Sequence, residues 1–586
     1  MKKLLSGNEA IARGAYEAGV TVAAAYPGTP STEILENFVR YPEIYAEWSP
    51  NEKVALEVGI GASIAGARVL VAMKHVGVNV AADPLMTVAY TGVNGGLVLV
   101  SADDPGMHSS QNEQDNRYYA KFAQIPLLEP SDSQEAKDML KVAYKISEEF
   151  DTPVLFRTTT RVAHSQSLVE LESRQEVPLK DYVKDAKKYV MLPAHARLRH
   201  PVVEERREKL AAYNETSSLN RVEPGSIKIG IITSGIVYQY VKEAMPEASV
   251  LKLGMTYPLP QKLITDFVNS VDTCYVAEEL EPFMEEQIKA WGLKVIGKEL
   301  FPRIGELSAE LIAQKLSGQD QSEVAAAGSN QAEAIPVRPP VLCPGCPHRG
   351  VFYTIKKLQL KVTGDIGCYT LGATPPLSSM DTCICMGASI GNAHGMEKAR
   401  GKEFVKNLVA VIGDSTFMHS GLTGLVNVVY NSGISTVLIL DNSTTAMTGH
   451  QDHPGTGLTL NKQEAPQVDL VALVKALGAK RVQVVDPYDL KATEQAIKTE
   501  VEAEEPSVII FKRPCVLLKG KGPKGCAYVD SEICLNCTEC SKLGCPALVY
   551  KGEGYTPDVN TTLCNGCGLC NQTCRYGAIL KEDSYE

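Results

Sequence analysis

The sequence predicts an α/β protein: several doubly wound parallel-sheet domains followed by a small cysteine-rich domain. Three observations carry this. Between Leu408 and Gly449 a buried strand, a helical pattern and a second buried strand follow one another, and both strands end in polar residues. The same strand–helix alternation recurs before residue 190 and again after Ile227, the pattern of parallel sheets. From about Gly525 the composition changes, and C-x2-C-x2-C runs start at Cys534 and Cys564.

At 586 residues, 44% hydrophobic and 22% charged, the chain has an ordinary globular composition and room for about four domains. A net charge of −11 argues against nucleic acid or anionic lipid as a partner. Met1-Lys2-Lys3-Leu4-Leu5 gives way at once to Ser6-Gly7-Asn8-Glu9, which is no signal-peptide core. No apolar run reaches the ~18 residues of a membrane span. Sixteen cysteines point to reduced thiols and metal, and so to the cytoplasm.

In chain order, Ser6-Gly7-Asn8-Glu9 reads as a capping box opening a helix that Gly19 ends. The strand Val20–Ala25 runs into the rigid turn Tyr26-Pro27-Gly28-Thr29-Pro30-Ser31, with Ser31 expected to cap the next helix. Glu52 and Glu57 precede a helix of small residues suited to close packing; both also fit a solvated face. His75 and His108 read as structural. Arg197 to Lys209 predicts a solvated helix. A second α/β domain starts at Ile227, where Glu278, Glu279 and Glu281 have no evident partner and read as structural. Ser317 to Pro340 is Ala-, Gln- and Pro-rich, an exposed linker.

In the central stretch, Leu408–Ile412 and Thr436–Leu440 read as neighbouring parallel strands, with Asp414 and Asn442 at one sheet edge, where open α/β sheets bind ligands. A carboxylate and an amide oxygen there suit Mg²⁺ shared with phosphates. A helix beginning near His419, with Leu422, Leu425, Val426 and Val429 on its buried face, would offer N–H groups to the same diphosphate. An ordinary α/β unit with polar strand ends fits the spacing equally well. Cys343 and Cys346, followed by His348, could be half of a zinc site, but Cys368, Cys383 and Cys385 do not repeat their spacing.

The tail carries the most specific pattern. Two-residue gaps let one short loop aim three thiolates at one cube while the other half supplies the fourth. That crossing assigns one [4Fe–4S] cluster to Cys534, Cys537, Cys540 and Cys574, and the other to Cys564, Cys567, Cys570 and Cys545. Zinc is the alternative. The Cys540–Cys545 gap is one residue longer than usual, and Arg575 stands where proline is usual after Cys574.

Gly413-Asp414-Ser415 followed by Asn442 resembles the thiamine diphosphate signature Gly-Asp-Gly…Asn, with Ser415 replacing the third glycine. The continuation from Asp441 through Thr444 to Gly449 is narrower. It resembles the 2-oxoacid:ferredoxin oxidoreductases, and within them the α subunits of the indolepyruvate branch. The resemblance implies a pyrimidine-binding domain at 1–190, a transketolase C-terminal-like domain at 227–315, a diphosphate-binding domain at 340–520 and a two-cluster ferredoxin-like domain at 525–586. It implies Thr29 against the substrate carboxylate, Glu52 as the glutamate that activates the cofactor, with Glu57 its competitor, and Arg117 as a substrate-binding arginine. It places Cys346, His348, Gly367, Cys368, Gly413, Asp414, Ser415, Asn442 and Thr444 around thiamine diphosphate, with Mg²⁺ on Asp414 and Asn442. Cys343, Cys346, Cys368, Cys383 and Cys385 are expected only to line the pocket.

The implied activity is oxidative decarboxylation of an arylpyruvate to an acyl-CoA and CO₂, with coenzyme A as co-substrate and electrons leaving through two clusters to ferredoxin. Pyruvate or branched-chain 2-oxoacids are alternative substrates; a non-redox decarboxylase and a non-catalytic electron-transfer subunit are alternative functions. No sequence remains for the small γ-type domain that completes such enzymes, so a separate small β subunit in an α2β2 assembly is expected.

Overall fold

The computed structural model describes residues 1–317, 339–552 and 554–582. The chain forms two compact units, Met1–Ala334 and Ile335–Glu586. The expected linker falls almost wholly on 318–338, outside the described residues.

The first unit is built on a seven-stranded sheet. Its spatial order is Met255–Tyr257, Leu127–Leu128, Val154–Thr159, Leu97–Asp103, Val69–Lys74, Val22–Ala25, Tyr45–Trp48. Six strands are parallel, and Val69–Lys74 and Leu97–Asp103 are buried throughout, because helices cover both faces. The helix Gly7–Glu17 opens with the expected capping box: Glu9 N–H donates to Ser6 Oγ at 3.2 Å and Ser6 N–H to Glu9 Oε2 at 3.0 Å. Ser31 does not cap Thr32–Phe38; its hydroxyl turns back to the Gly28 carbonyl at 2.7 Å. The helix Glu52–Ile64 lies close enough to the sheet that a Cβ on Gly59 would sit 2.4 Å from Val71.

A second sheet has Thr273–Ala277, Ser226–Ser234 and Ala248–Leu253 parallel, with Arg221–Glu223 antiparallel at its edge. Two features cross the expected division near residue 227. Met255–Tyr257 leaves this region to pair antiparallel with Leu127–Leu128, completing the first sheet. The helix Pro193–Asn214 is not simply solvated, since Val203, Arg206 and Leu210 are buried. The Arg206 guanidinium donates to the carbonyls of Asp151 at 2.7 Å and Ala89 at 2.5 Å.

The second unit carries a six-stranded, all-parallel sheet ordered Thr382–Cys383, Lys361–Gly364, Leu408–Gly413, Thr436–Asp441, Ser507–Lys512, Arg481–Val485. Its tail pairs Cys526–Val529 with Ile579–Glu582 and Leu548–Val549 with Asp558–Val559, both antiparallel. Among the described residues, no helix is long and apolar enough to cross a membrane.

Candidate functional site

The edge predicted for the central stretch exists. Leu408–Gly413 and Thr436–Asp441 are adjacent and parallel, Gly413 facing Leu440, so Asp414 and Asn442 emerge side by side. The helix starts at Asp414 itself and passes through a π-helical turn, Phe417–Gly421, before Leu422–Tyr430. It does not begin near His419, and that register turns Val426 to solvent (44% exposed) while burying Leu425 and Val428. Gly413 is required here, because a Cβ would stand 2.6 Å from the Tyr369 ring. Ser415 accepts a hydrogen bond from the Thr445 hydroxyl at 2.8 Å, so the departure from glycine ties the two strand ends together.

Asp414, Asn442 and Thr444 are buried. Asp414 Oδ1 accepts the Ser415 N–H at 2.9 Å, and Oδ2 accepts the Ser443 N–H at 2.9 Å. The Asn442 side-chain oxygen accepts the Thr444 N–H at 3.2 Å. Beside them Asp441 is also buried; burial and the Asp414 charge push its carboxyl up to about 6. Two buried carboxylates this close repel, and a divalent cation among these hard oxygens would relieve the repulsion, so the donor set fits Mg²⁺. His453 was missed in the sequence. Its Nε2 stands 3.2 Å from Asp414 Oδ2, and although burial opposes a charged imidazole, Asp414 outweighs it and raises the pKa. The signal was a second polar loop, Gly449-His450-Gln451-Asp452-His453, following Asn442. A cavity of about 280 Å³ opens here, lined by Asp414, Asp441, His453, Gln467 and Lys512.

His348 packs edge-on against Tyr369, centroids 5.9 Å apart, and burial pulls its pKa down to about 4 against the Asp414 charge. Asp365, before Gly367 and Cys368, accepts the N–H groups of Gly387 at 2.8 Å and Ser389 at 3.0 Å, closing the start of Ala388–Arg400.

Cys343, Cys346 and Cys368 are joined by a fourth cysteine. Cys346 lies near Cys343 and Cys368, and Cys368 near Cys343 and Cys515. Cys515, another omission, follows Ser507–Lys512 as Asn442 follows its strand, and its N–H donates to the Asn442 carbonyl at 2.9 Å. Burial pushes Cys346 up to about 12 and Cys368 to about 11, so both are neutral thiols at neutral pH. Cys383 and Cys385 stand outside this group of four.

In the tail, Cys540 neighbours Cys534, Cys537 and Cys574, while Cys570 neighbours Cys564, Cys567 and Cys545. Among the described residues no three such side chains close on a single ion's volume. A cube keeps its four ligands farther apart, and Cys545, Cys564, Cys567 and Cys570 do surround a cavity with Ala527 and Leu548. N–H groups point at sulfur: Ala527 to Cys564 at 3.3 Å and Ala578 to Cys574 at 3.2 Å. Burial would raise Cys574, but the N–H groups from Tyr576 to Ile579 lower it.

In the first unit, Glu52 occupies the first turn of its helix, with Asn51 as cap accepting the Val54 N–H at 2.9 Å. It is 6% exposed and lies against Gly77, where a Cβ would be 2.7 Å from its carboxylate. Glu57 is half exposed and ion-paired with Lys53. Thr29 sits at the end of Val22–Ala25, its carbonyl accepting the Ser109 hydroxyl at 3.3 Å. Lys74, also overlooked, is buried nearby, donating to the Ser109 carbonyl at 2.5 Å. His75 and His108 are held by the Asn112 carbonyl and Glu306.

Arg117, the expected substrate-binding arginine, is deeply buried. It is 1% exposed, ion-paired with Asp115 and Glu278 at 2.6 Å each, and donates to the carbonyls of Glu279 and Glu281. These partners tie the guanidinium to the end of the strand Thr273–Ala277, so Arg117 joins the two sheets of the first unit. Glu278, without a partner in the sequence, is its partner in space.

Residues 13–222 match the family model "Pyruvate flavodoxin/ferredoxin oxidoreductase, thiamine diP-bdg", and 365–511 match "Thiamine pyrophosphate enzyme, C-terminal TPP binding domain". With the parallel sheets and the Asp414–Asn442 edge, they define a thiamine diphosphate-dependent enzyme of the 2-oxoacid:ferredoxin oxidoreductase class. Among curated relatives, indolepyruvate oxidoreductase subunit IorA of Pyrococcus horikoshii is 43% identical over 99% of this chain and 97% of its own. Its counterpart in Archaeoglobus fulgidus is 42% identical over the same shares. The chain belongs to the indolepyruvate oxidoreductase IorA family. A solved 2-oxoglutarate:ferredoxin oxidoreductase from Magnetococcus marinus is a looser match, with TM-score 0.47 and 17% identity over 54% of this chain and 65% of that one, and carries no weight here.

Proposed function

We propose that this chain is the large subunit of an enzyme that oxidises indolepyruvate and related arylpyruvates to acyl-CoA and CO₂, in the cytoplasm, with ferredoxin as electron acceptor. The observation that carries it is the buried Asp414–Asn442 edge in a chain whose eight tail cysteines gather in two groups of four. Thiamine diphosphate, when bound, supplies the electron sink that lets a 2-oxoacid release CO₂. Asp414 and Asn442 would hold Mg²⁺ and through it the diphosphate, with His453 fixing the Asp414 carboxylate. Glu52, buried against Gly77, would hold a proton against the ring nitrogen of the aminopyrimidine and so favour its imino tautomer. Thr29, in the turn after Val22–Ala25, would meet the substrate carboxylate. The tail cysteines would hold two [4Fe–4S] clusters, and coenzyme A would be the acyl acceptor.

A second reading concerns iron alone. The grouping of Cys343, Cys346, Cys368 and Cys515 supports a third, inner cluster beside Asp414. Three cubes bring iron to about twelve per chain; eight removes the inner cluster, and zinc removes the tail assignment as well. The relatives are named subunits, which supports a partner chain, taken here as a small second subunit in an α2β2 assembly. The deciding experiment uses the co-purified, anaerobic complex with indole-3-pyruvate, coenzyme A and ferredoxin. Substrate-dependent ferredoxin reduction is expected; CO₂ release without it would make the protein a non-redox decarboxylase.

A further inference from the structure

Arg349 lies in the first turn of the helix His348–Lys357 and is 2% exposed. On one side its guanidinium donates to the carbonyls of Leu342 and, at 3.2 Å, Cys343. On the other it donates to the carbonyls of Leu543 at 3.2 Å and Gly544 at 2.5 Å. These are the backbones of two cysteine loops, one carrying Cys343 and Cys346, the other leading into Cys545. Further clasps hold the same seam: Asn565 donates to the Pro344 carbonyl at 3.2 Å, and Gly345 lies so close that a Cβ would stand 2.2 Å from Asn565.

Among the described residues, no carboxylate is within ion-pairing distance of Arg349. Carbonyls orient a guanidinium but do not neutralise it, and a buried unpaired charge is costly. Elsewhere in this chain the buried Arg117 and Arg157 each face carboxylates, while Arg206 donates to the carbonyls of Asp151 and Ala89 with the Asp151 charge nearby. Sulfurs of both loops flank Arg349 and would carry negative charge when they ligate clusters: Cys343 and Cys346 on one side, Cys545 and Cys567 on the other.

We propose that Arg349 is the shared counter-cation of two adjacent iron–sulfur clusters and the bridge that fixes their separation for electron transfer. This rests on the cluster reading above. Each cube with four thiolates is anionic, and each electron it accepts from substrate oxidation adds one more negative charge. A fixed guanidinium favours that reduced state and raises the potential of the cluster on Cys545, Cys564, Cys567 and Cys570 relative to the one on Cys534, Cys537, Cys540 and Cys574. Arginine suits the task because its planar fork reaches carbonyls on both loops, which a lysine cannot. Arg349 is thus a positioning residue that acts on the clusters through charge and spacing.

The test is a redox titration followed by electron paramagnetic resonance on the anaerobic complex, comparing wild type, R349K and R349M, with iron counted in each. R349M is expected to keep its iron but to make reduction of the adjacent cluster about tenfold less favourable, ~59 mV for one electron. The distal cluster should be unmoved, and R349K should restore most of the potential. An unshifted R349M, equal shifts in both variants, or loss of iron in both would overturn the proposal, leaving Arg349 a clasp and nothing more. Absence of four-iron signals in the wild type would instead overturn the cluster reading on which it rests.

Discussion

At the scale of single residues, two carboxylates differ in what surrounds them. Asp414 is fixed by two backbone N–H groups and His453, so its oxygens are aimed before any ligand arrives. Removing an outer partner of a metal ligand typically costs ~10–100-fold in affinity, so His453→Ala should weaken Mg²⁺-dependent thiamine diphosphate binding by about that much and Asp414→Ala by more. Calorimetric titration measures both; undiminished binding by Asp414→Ala would show that the metal lies elsewhere. Glu52 is buried and Glu57 is exposed and paired, so only Glu52→Gln should slow turnover, by roughly 10²–10⁴-fold, with the cofactor still bound. Normal turnover in Glu52→Gln beside a slow Glu57→Gln would reverse the roles.

Helices, strands and loops were legible wherever their cause is local. The capping box at Ser6, the strand Leu408–Gly413 and the parallel pair ending in Asp414 and Asn442 follow from neighbours along the chain. What escaped depends on distant partners: Arg117 with Glu278, His453 with Asp414, Cys515 with Cys368. Spacing carries no trace of such pairs. Loop geometry also bears on the clusters. Because Cys545 reaches its group across the longer gap, Cys545→Ala should damage the cluster of Cys564, Cys567 and Cys570 and spare the other; iron analysis falling by about four per chain would show it, and loss of both would show one fused unit. The helix Ser133–Glu149 is anchored to the second sheet by Glu135, which accepts Lys252 at 2.5 Å, Ser131 N–H at 2.9 Å and Arg221 at 2.9 Å. Burial opposes the Glu135 charge, but these donors win and hold its carboxyl at about 2, below the ordinary 4.5. Lys252 is itself pulled down by burial, so the anchor rests on all three donors together. A depressed folded pKa stabilises above the ordinary value and fades as pH falls toward about 2. Glu135→Gln should therefore unfold at lower temperature than wild type at neutral pH, with the difference shrinking below pH ~4.5. A gap independent of pH would assign the effect to packing.

For the whole molecule, the prediction is that the chain works only with its small partner. Expressed alone it should bind thiamine diphosphate and iron yet fail to oxidise indole-3-pyruvate, and co-expression should restore activity in a larger species by light scattering. Full activity of the isolated chain would refute this. The strand Met255–Tyr257 that closes the first sheet has a consequence for how the chain is made. The sheet's inner strands have all left the ribosome by Thr159, yet the strand covering Leu127–Leu128 is synthesised about a hundred residues later. At ~5–20 residues per second the growing chain carries an open sheet edge for roughly 5–20 s. An uncovered edge invites pairing with another nascent chain, so on a crowded polysome this interval is when helper proteins matter most. The middle of the message, and neither of its ends, decides when the newborn chain becomes safe from its neighbours.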